Sequence, residues 1–315
     1  MGLATRDAYG QTLLELGKSD SRIVVLDADL SSSTRTSAFA KAFPDRFFNV
    51  GISEANMVGM AGGLAASGKI PFISSFACFL TCKGYDQLRM AVAVPHHNVK
   101  VVASHGGISV GEDGVSQQSI EDLALMTSLP GFTVIVPADE QATRALVTAA
   151  ARMVSPVYLR TSRPKAPLVH AATQNFSIGK GILLRQGQDV TIIANGLLVF
   201  EALAAAETLE SEGISAAVAD LHTVKPLDES LIESQAKATG ALVTAEEHQI
   251  WGGLGSAVAQ AVARRHPVPM EMVGIQDTYA ESGKPEELFE KYGLTAAHLA
   301  QAARRVLKRK GVRPL

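Results

Sequence analysis

Cysteine is scarce in this 315-residue chain, which holds two, Cys78 and Cys82, and tryptophan occurs once. Two thiols four residues apart cannot frame a disulfide scaffold, and they lack the His or Cys companions of a structural zinc site. The spacing therefore predicts reduced thiols and a cytoplasmic protein. An excess of either charge is also missing: 29 Lys+Arg oppose 31 Asp+Glu, a formal net charge of -2. That balance argues against nucleic acid as the main partner, because neutralising phosphates needs a basic surface. No apolar run reaches the ~18 residues of a membrane span, so no membrane crossing is expected. Met1 to Arg6 carry no signal-peptide core, and there is no repeat of 20 to 50 residues.

What is present is 47% apolar residue content over a length that accommodates two domains of about 150 residues. Short β-branched runs alternate with longer helical patterns, the signature of α/β architecture with a mainly parallel sheet. Strands are expected at Ile23 to Leu26, Pro71 to Ser74, Val99 to Ala103 and Thr133 to Val136. Helices are expected at Glu54 to Ser67, Tyr85 to Ala93, Gln118 to Thr127 and Glu140 to Met153. A second unit has expected strands Val190 to Ala194, Ala216 to Ala219, Ala241 to Ala245 and Glu271 to Ile275, with a helix over Val199 to Glu212. Asp228 is placed to cap a helix that Gly240 ends. The expected organisation is two doubly wound domains, 1–165 and 189–315, joined by a Pro- and Gly-containing linker over 166–188.

Three segments concentrate polar chemistry. Glu54 heads the smooth, small-residue run Ala55 to Ala65. It reads either as a buried acid ready to share a proton or as a carboxylate satisfied by the helix start. Phe76, Phe79 and Tyr85 gather just past an expected strand end, where ligands sit in open α/β sheets, although core packing is the commoner role of aromatics. Ser104-His105-Gly106-Gly107 to Gly111-Glu112-Asp113-Gly114 and on to Gln118 follows another strand. Its four glycines imply backbone close to something, and its polar groups suit a hydroxyl-rich or anionic ligand. Arg160-Thr161-Ser162-Arg163-Pro164 offers guanidinium forks suited to phosphate. Trp251-Gly252-Gly253-Leu254-Gly255-Ser256 lacks full dinucleotide-fingerprint spacing and reads as close helix–strand packing.

Together with Ala4-Thr5-Arg6-Asp7-Ala8-Tyr9-Gly10, Leu26-Asp27-Ala28-Asp29, Phe43-Pro44-Asp45-Arg46-Phe47 and Thr223-Val224-Lys225-Pro226-Leu227-Asp228, these segments occur in an order that resembles the carboxyl-terminal half of transketolase. The resemblance implies a pyrimidine-binding domain of the thiamine-diphosphate enzymes followed by the transketolase carboxyl-terminal domain. It implies that Glu54 bonds a ring nitrogen of the cofactor's aminopyrimidine and controls its tautomer, with Phe76, Phe79 and Tyr85 around the ring. Arg6, Ser33, His105 and Arg163 would take the sugar-phosphate end, and Asp113 a substrate hydroxyl. Glu54 and His105 are the expected catalytic residues. Gln117 stands where many microbial relatives carry His, which keeps substrate contact and puts acid–base capacity in doubt.

The family's Gly-Asp-Gly motif is absent from the sequence. The resemblance therefore implies a separate subunit that supplies the diphosphate site and its Mg²⁺ or Ca²⁺, with no metal ligand from this chain. It also implies self-association of this chain in a two-plus-two heterotetramer that acts on sugar phosphates. A beta-type subunit of a 2-oxoacid dehydrogenase, a deoxyxylulose-phosphate synthase-like fragment and a non-catalytic assembly subunit are the alternatives.

Overall fold

A computed structural model describes residues 1–311, and the last four residues of the expected 189–315 domain lie outside the described residues. Continuous burial of Ile23–Asp27, Ile70–Phe76 and Lys100–Ser104 marks strands covered on both faces, as parallel sheets require. The strands are β1 (Ile23–Asp27), β2 (Phe47–Asn49), β3 (Ile70–Phe76), β4 (Lys100–Ser104), β5 (Thr133–Ile135) and β6 (Val157–Arg160), then β7 (Ile182–Arg185), β8 (Val190–Ala194), β9 (Ala216–Asp220), β10 (Thr223–Lys225), β11 (Leu242–Gln249) and β12 (Met270–Ile275). They form a seven-stranded sheet in the order β10-β5-β6-β4-β3-β1-β2 and a five-stranded sheet in the order β12-β11-β8-β9-β7. All pairings are parallel except β10 on β5 and β7 on β9. Because β1 has β2 on one side and β3 on the other, the crevice outside their carboxyl ends is a topological switch point.

The elements depart from the sequence expectations in five places. The segment 166–188 contains β7, the antiparallel edge of the second sheet, and β10 crosses from the second half to close the first sheet. The expected helix at Gln118 starts instead at Asp122. The Gln118 amide is drawn away to the carbonyls of Ile108 and Glu281, at 3.4 and 3.0 Å. Tyr85 to Ala93 is one α-turn, Tyr85–Gln87, followed by π-helical Leu88–Ala93. Strand β11 runs four residues beyond Ala245, to Gln249.

Capping follows local chemistry. Asp228 accepts the Leu231 N–H at 3.1 Å, and Gly240 closes the same helix at φ 64°. Asp139 accepts the Ala142 N–H at 2.9 Å at the head of Glu140–Arg152.

Candidate active site

Glu54 begins the helix Glu54–Ala66 and is 3% exposed. Its Oε1 accepts a 3.1 Å hydrogen bond from the hydroxyl of Ser75, the penultimate residue of β3, and its Oε2 lies 3.7 Å from Lys83 Nζ. Lys83 also sits over the Phe79 ring, 4.3 Å from its centroid. Phe79 opens a five-residue π-helix, Phe79–Lys83. Such irregular turns are frequent at functional sites because they re-aim side chains. Phe76 closes β3 and stacks on Phe79 at 5.5 Å with planes 16° apart. A buried carboxylate beside two near-parallel phenyl rings is a donor set that fits an aminopyrimidine, which stacks on its face and bonds through its ring nitrogen. Tyr85 packs against the first-domain core, and its hydroxyl is 2.6 Å from Ser128 Oγ.

Phe76 also stacks against His105, with ring centroids 3.8 Å apart, so the aromatic wall continues into the polar end of the crevice. His105 follows β4, is buried, and has φ 60°. Its Nε2 is 3.2 Å from Arg6 Nη1 and its Nδ1 is 2.8 Å from Ser104 Oγ. A guanidinium can only donate, so Nε2 accepts and the proton is on Nδ1, which donates to Ser104. Burial, then Arg6, Arg163 and Arg35, push the imidazole down to about 3. His105 is therefore a neutral ring, a polar acceptor held in one tautomer.

Arg6 also donates to the Ser33 carbonyl at 3.1 Å. The loop carrying Ser33 is shaped by Asp27, the last residue of β1. One Asp27 oxygen accepts the Leu30 N–H at 2.6 Å, and the other accepts the hydroxyls of Thr34 and Thr36 at 2.6 and 2.9 Å. Burial raises the Asp27 carboxyl, and these donors oppose the shift. Asp27→Leu removes the loop's organiser, and should cost about 3 kcal/mol of stability in urea titrations, since two buried hydroxyls and a half-buried N–H lose their acceptor.

Arg163 donates to the Val110 carbonyl and lies 3.5 Å from Glu112 and 3.6 Å from Asp113. Gln117, half-buried, accepts from the Ser116 hydroxyl at 2.6 Å. Arg160 behaves differently from Arg163. It is buried, donates to the Glu247 carbonyl at 2.6 Å, and stands 3.6 Å from Asp122, so it joins the two sheets and is closed to a substrate. The same pair explains the glycines. A Cβ on Gly106 would enter the Arg160 side chain, one on Gly107 the Glu247 carboxylate, and one on Gly114 the Ser282 hydroxyl. The backbone here approaches the protein's own second half. Glu246 likewise accepts the N–H groups of Leu254 and Gly255 at 2.7 and 2.8 Å, and leaves no room for a Cβ on Gly253.

Of the residues singled out in the sequence, Glu54, Phe76 and Phe79 form one end of the crevice. Arg6, the Ser33 backbone and His105 form the other, with Arg163 and Asp113 paired nearby. Sequence reasoning missed Ser75, Lys83 and the pairing of Ser104 with the His105 ring. Ser75 is one position from Phe76 and points to the other face of β3, a period-two signal that was available. Lys83 reaches Glu54 only through the π-turn, which no hydrophobic period encodes. Among the described residues, no group of three or more His, Cys, Asp or Glu could hold a metal ion. No helix among them is long and apolar enough to cross a membrane.

A carboxylate and aromatic wall beside an anion-suited cluster, at the switch point of one α/β domain leading into another, fits the class of thiamine-diphosphate enzymes. The chain belongs to the transketolase family: residues 1–168 match the transketolase pyrimidine-binding domain, and residues 179–299 match the transketolase C-terminal domain. It is 48% identical to a solved split-gene transketolase described as an inactive β4 tetramer, with TM-score 0.90 over 98% of this chain and 100% of that one. It is 44% identical over 308 residues to a 6-deoxy-6-sulfo-D-fructose transketolase subunit of Clostridium sp. (strain MSTE9), covering 98% of this chain and 96% of that protein. Human transketolase is 41% identical over 306 residues, 96% of this chain and 49% of the human protein. Family membership implies dependence on thiamine diphosphate.

Proposed function

We propose that this chain is the C-terminal subunit of a heteromeric, cytoplasmic transketolase, and transfers a two-carbon ketol unit from a ketose phosphate to an aldose phosphate. The observation that carries this reading is the continuous wall Phe79, Phe76 and His105, which joins the buried Glu54 carboxylate to Arg6. Thiamine diphosphate, when bound, supplies the nucleophilic carbon and the electron sink for carbon–carbon cleavage. Glu54 would hold the aminopyrimidine and share a proton at its ring nitrogen, while Phe76 and Phe79 exclude water from its faces. Neutral His105 would accept from a substrate hydroxyl only by releasing Arg6, and so couples sugar binding to anion binding. Arg6, Ser33 and Arg163 would receive the phosphate, and Asp113 and Gln117 substrate hydroxyls. Tyr85 would act behind the wall, as packing for the π-turn.

A separate subunit with the Gly-Asp-Gly motif would complete the site and hold the Mg²⁺ or Ca²⁺. The half-length match to a full-length transketolase and the inactive tetramer of the split-gene relative support that division. The helix led by Glu54 supports association, with a second copy or with that subunit. Ile52 is 79% exposed, Phe48 and Met60 are exposed around one cleft with Gly63 and Leu64, and Gly59 and Gly63 face open space. The first domain would end near 165 and the second would take in β7, so that it begins before 182 instead of at 189.

The test is ketol transfer from xylulose 5-phosphate to ribose 5-phosphate, with thiamine diphosphate and Mg²⁺, by the chain alone and by the chain co-expressed with a Gly-Asp-Gly half. Activity in the mixture alone is expected. Activity of the pure chain would refute the division, and silence of a stable complex would refute this substrate class. The relative named for 6-deoxy-6-sulfo-D-fructose favours a second donor with a sulfonate in place of phosphate, to be assayed beside the first. In the active complex, Arg163→Ala should raise KM for phosphorylated donors about tenfold more than for unphosphorylated hydroxypyruvate. Equal increases would remove Arg163 from the phosphate site.

A further inference from the structure

Three arginines converge around neutral His105, and one of them, Arg35, has no role in the reading above. It ends the short helix Ser31–Thr34 in the left-handed region, at φ 68° and ψ 18°, which costs a residue with a Cβ on the order of 1 kcal/mol. Its backbone is pressed against Gly10, where a Cβ would come within 2.6 Å of both the Arg35 carbonyl and its Cβ. The Asp27 cradle and this close approach thus fix Arg35 on the loop whose Ser33 carbonyl accepts from Arg6, within reach of Asp7, the next residue after Arg6. Nε bonds Asp7 Oδ1 at 2.5 Å, Nη1 donates to the Ser32 carbonyl at 2.9 Å, and Nη2 has no partner among the described residues. Arg6 Nε is buried and likewise unpartnered. The two guanidinium groups repel: burial first and Arg35 next weaken proton binding by Arg6, with Asp7 opposing them.

Strained backbone, neighbouring like charges and the buried, unpartnered Arg6 Nε are each unfavourable alone, and an anion between the two guanidinium groups relieves the last two. We propose that Arg35 is a further specificity-determining residue, binding the substrate's terminal anion together with Arg6 while Asp7 holds it in position. The identity of that anion as a sugar phosphate rests on the transketolase reading; the anion site itself does not. Asp7 is the competitor for Arg35 in the free protein, so neutralising either member of the pair has opposite consequences.

The experiment has two arms. Equilibrium dialysis of inorganic phosphate against the full chain should show binding that Arg35→Ala weakens about tenfold and that Asp7→Asn preserves or tightens. In the active complex, Arg35→Ala should raise KM for xylulose 5-phosphate about tenfold more than for hydroxypyruvate, with Arg35→Lys intermediate because it keeps the charge and loses the fork. No phosphate binding by the wild-type chain, or equal binding by Arg35→Ala, overturns the proposal. Parallel losses in Arg35→Ala and Asp7→Asn, on both donors, also overturn it, because they would make the pair a structural brace. A complex without ketol transfer refutes the transketolase reading and leaves the phosphate arm to decide this one.

Discussion

Glu54→Gln in the assembled enzyme should lower kcat by about 10³-fold while leaving assembly and cofactor affinity within a few-fold of wild type. The amide has the shape of the carboxylate and can still accept from Ser75, 3.1 Å away, so the helix start and the β3 contact survive. It cannot hold and return a proton at the aminopyrimidine nitrogen, and loss of a positioned proton carrier costs roughly 10² to 10⁴ in rate. Lys83, 3.7 Å from Oε2, adds a further handle. Its ammonium loses a charged neighbour in the variant, which gives assembly no reason to fail. Steady-state ketol transfer, calorimetric titration with thiamine diphosphate and sedimentation of the complex read the three quantities separately. Near wild-type turnover would remove Glu54 from proton control, whereas loss of the complex would reassign it to the interface.

The parts of this site legible in the sequence are those that sit on regular elements. Glu54 heads a helix of small residues, Phe76 ends a strand, and His105 follows one, so period and strand–helix alternation placed all three at one edge of a sheet. The Arg160 and Arg163 pair shows the limit. Three positions apart in one polar segment, they read as two equivalent forks. Yet Arg160 lies on β6, with its side chain sealed under Glu247 by the second domain, and Arg163 lies past the strand end near Glu112 and Asp113. Which arginine is left open to the crevice depended on a residue 87 positions away. The same long-range contact accounts for Gly106 and Gly107, whose lack of Cβ was visible but whose neighbour was not. The segment 166–188 read as a linker because β7 is a four-residue edge strand of half-buried residues, too short for alternation to stand out. Within it, His170 drew no notice, although it ties the two domains together.

His170→Leu should cost about 3 to 5 kcal/mol of stability near pH 6, the range for breaking a buried ion pair from one side. The ring is closed from solvent, with Nδ1 3.2 Å from Asp139 Oδ2 and Nε2 3.2 Å from Asp220 Oδ2. Asp139 caps a first-domain helix and also accepts the N–H groups of Val169 and His170, at 3.0 and 2.9 Å, while Asp220 ends β9 of the second sheet. Both ring nitrogens therefore face carboxylates, and both are best satisfied when the ring is protonated. Burial opposes the charge, but the two carboxylates prevail and raise the ring to about 9, from about 6.5 for an unfolded histidine. His222 lies nearby, with Phe176 edge-on to both rings, and is lowered by burial.

A raised folded value means that the folded chain binds the extra proton. The His170 contribution is then complete below about pH 6.5 and is lost as pH rises through about 9, a change of about 3 kcal/mol at 1.36 kcal/mol per unit. Buried Lys100 works the other way. Held at about 7 by desolvation while donating to the Met153 and Ser155 carbonyls, it makes the folded state gain stability as pH rises from about 7 towards 10.5. Wild-type stability against pH therefore mixes two opposing slopes. The difference between wild type and His170→Leu isolates the histidine, because Lys100 is common to both. Urea titrations at pH 6, 7.5 and 9.5 should show that difference shrinking by about 3 kcal/mol across the series. A difference independent of pH would mean that the ring is neutral between the two carboxylates, and that one of the carboxylates carries the proton instead.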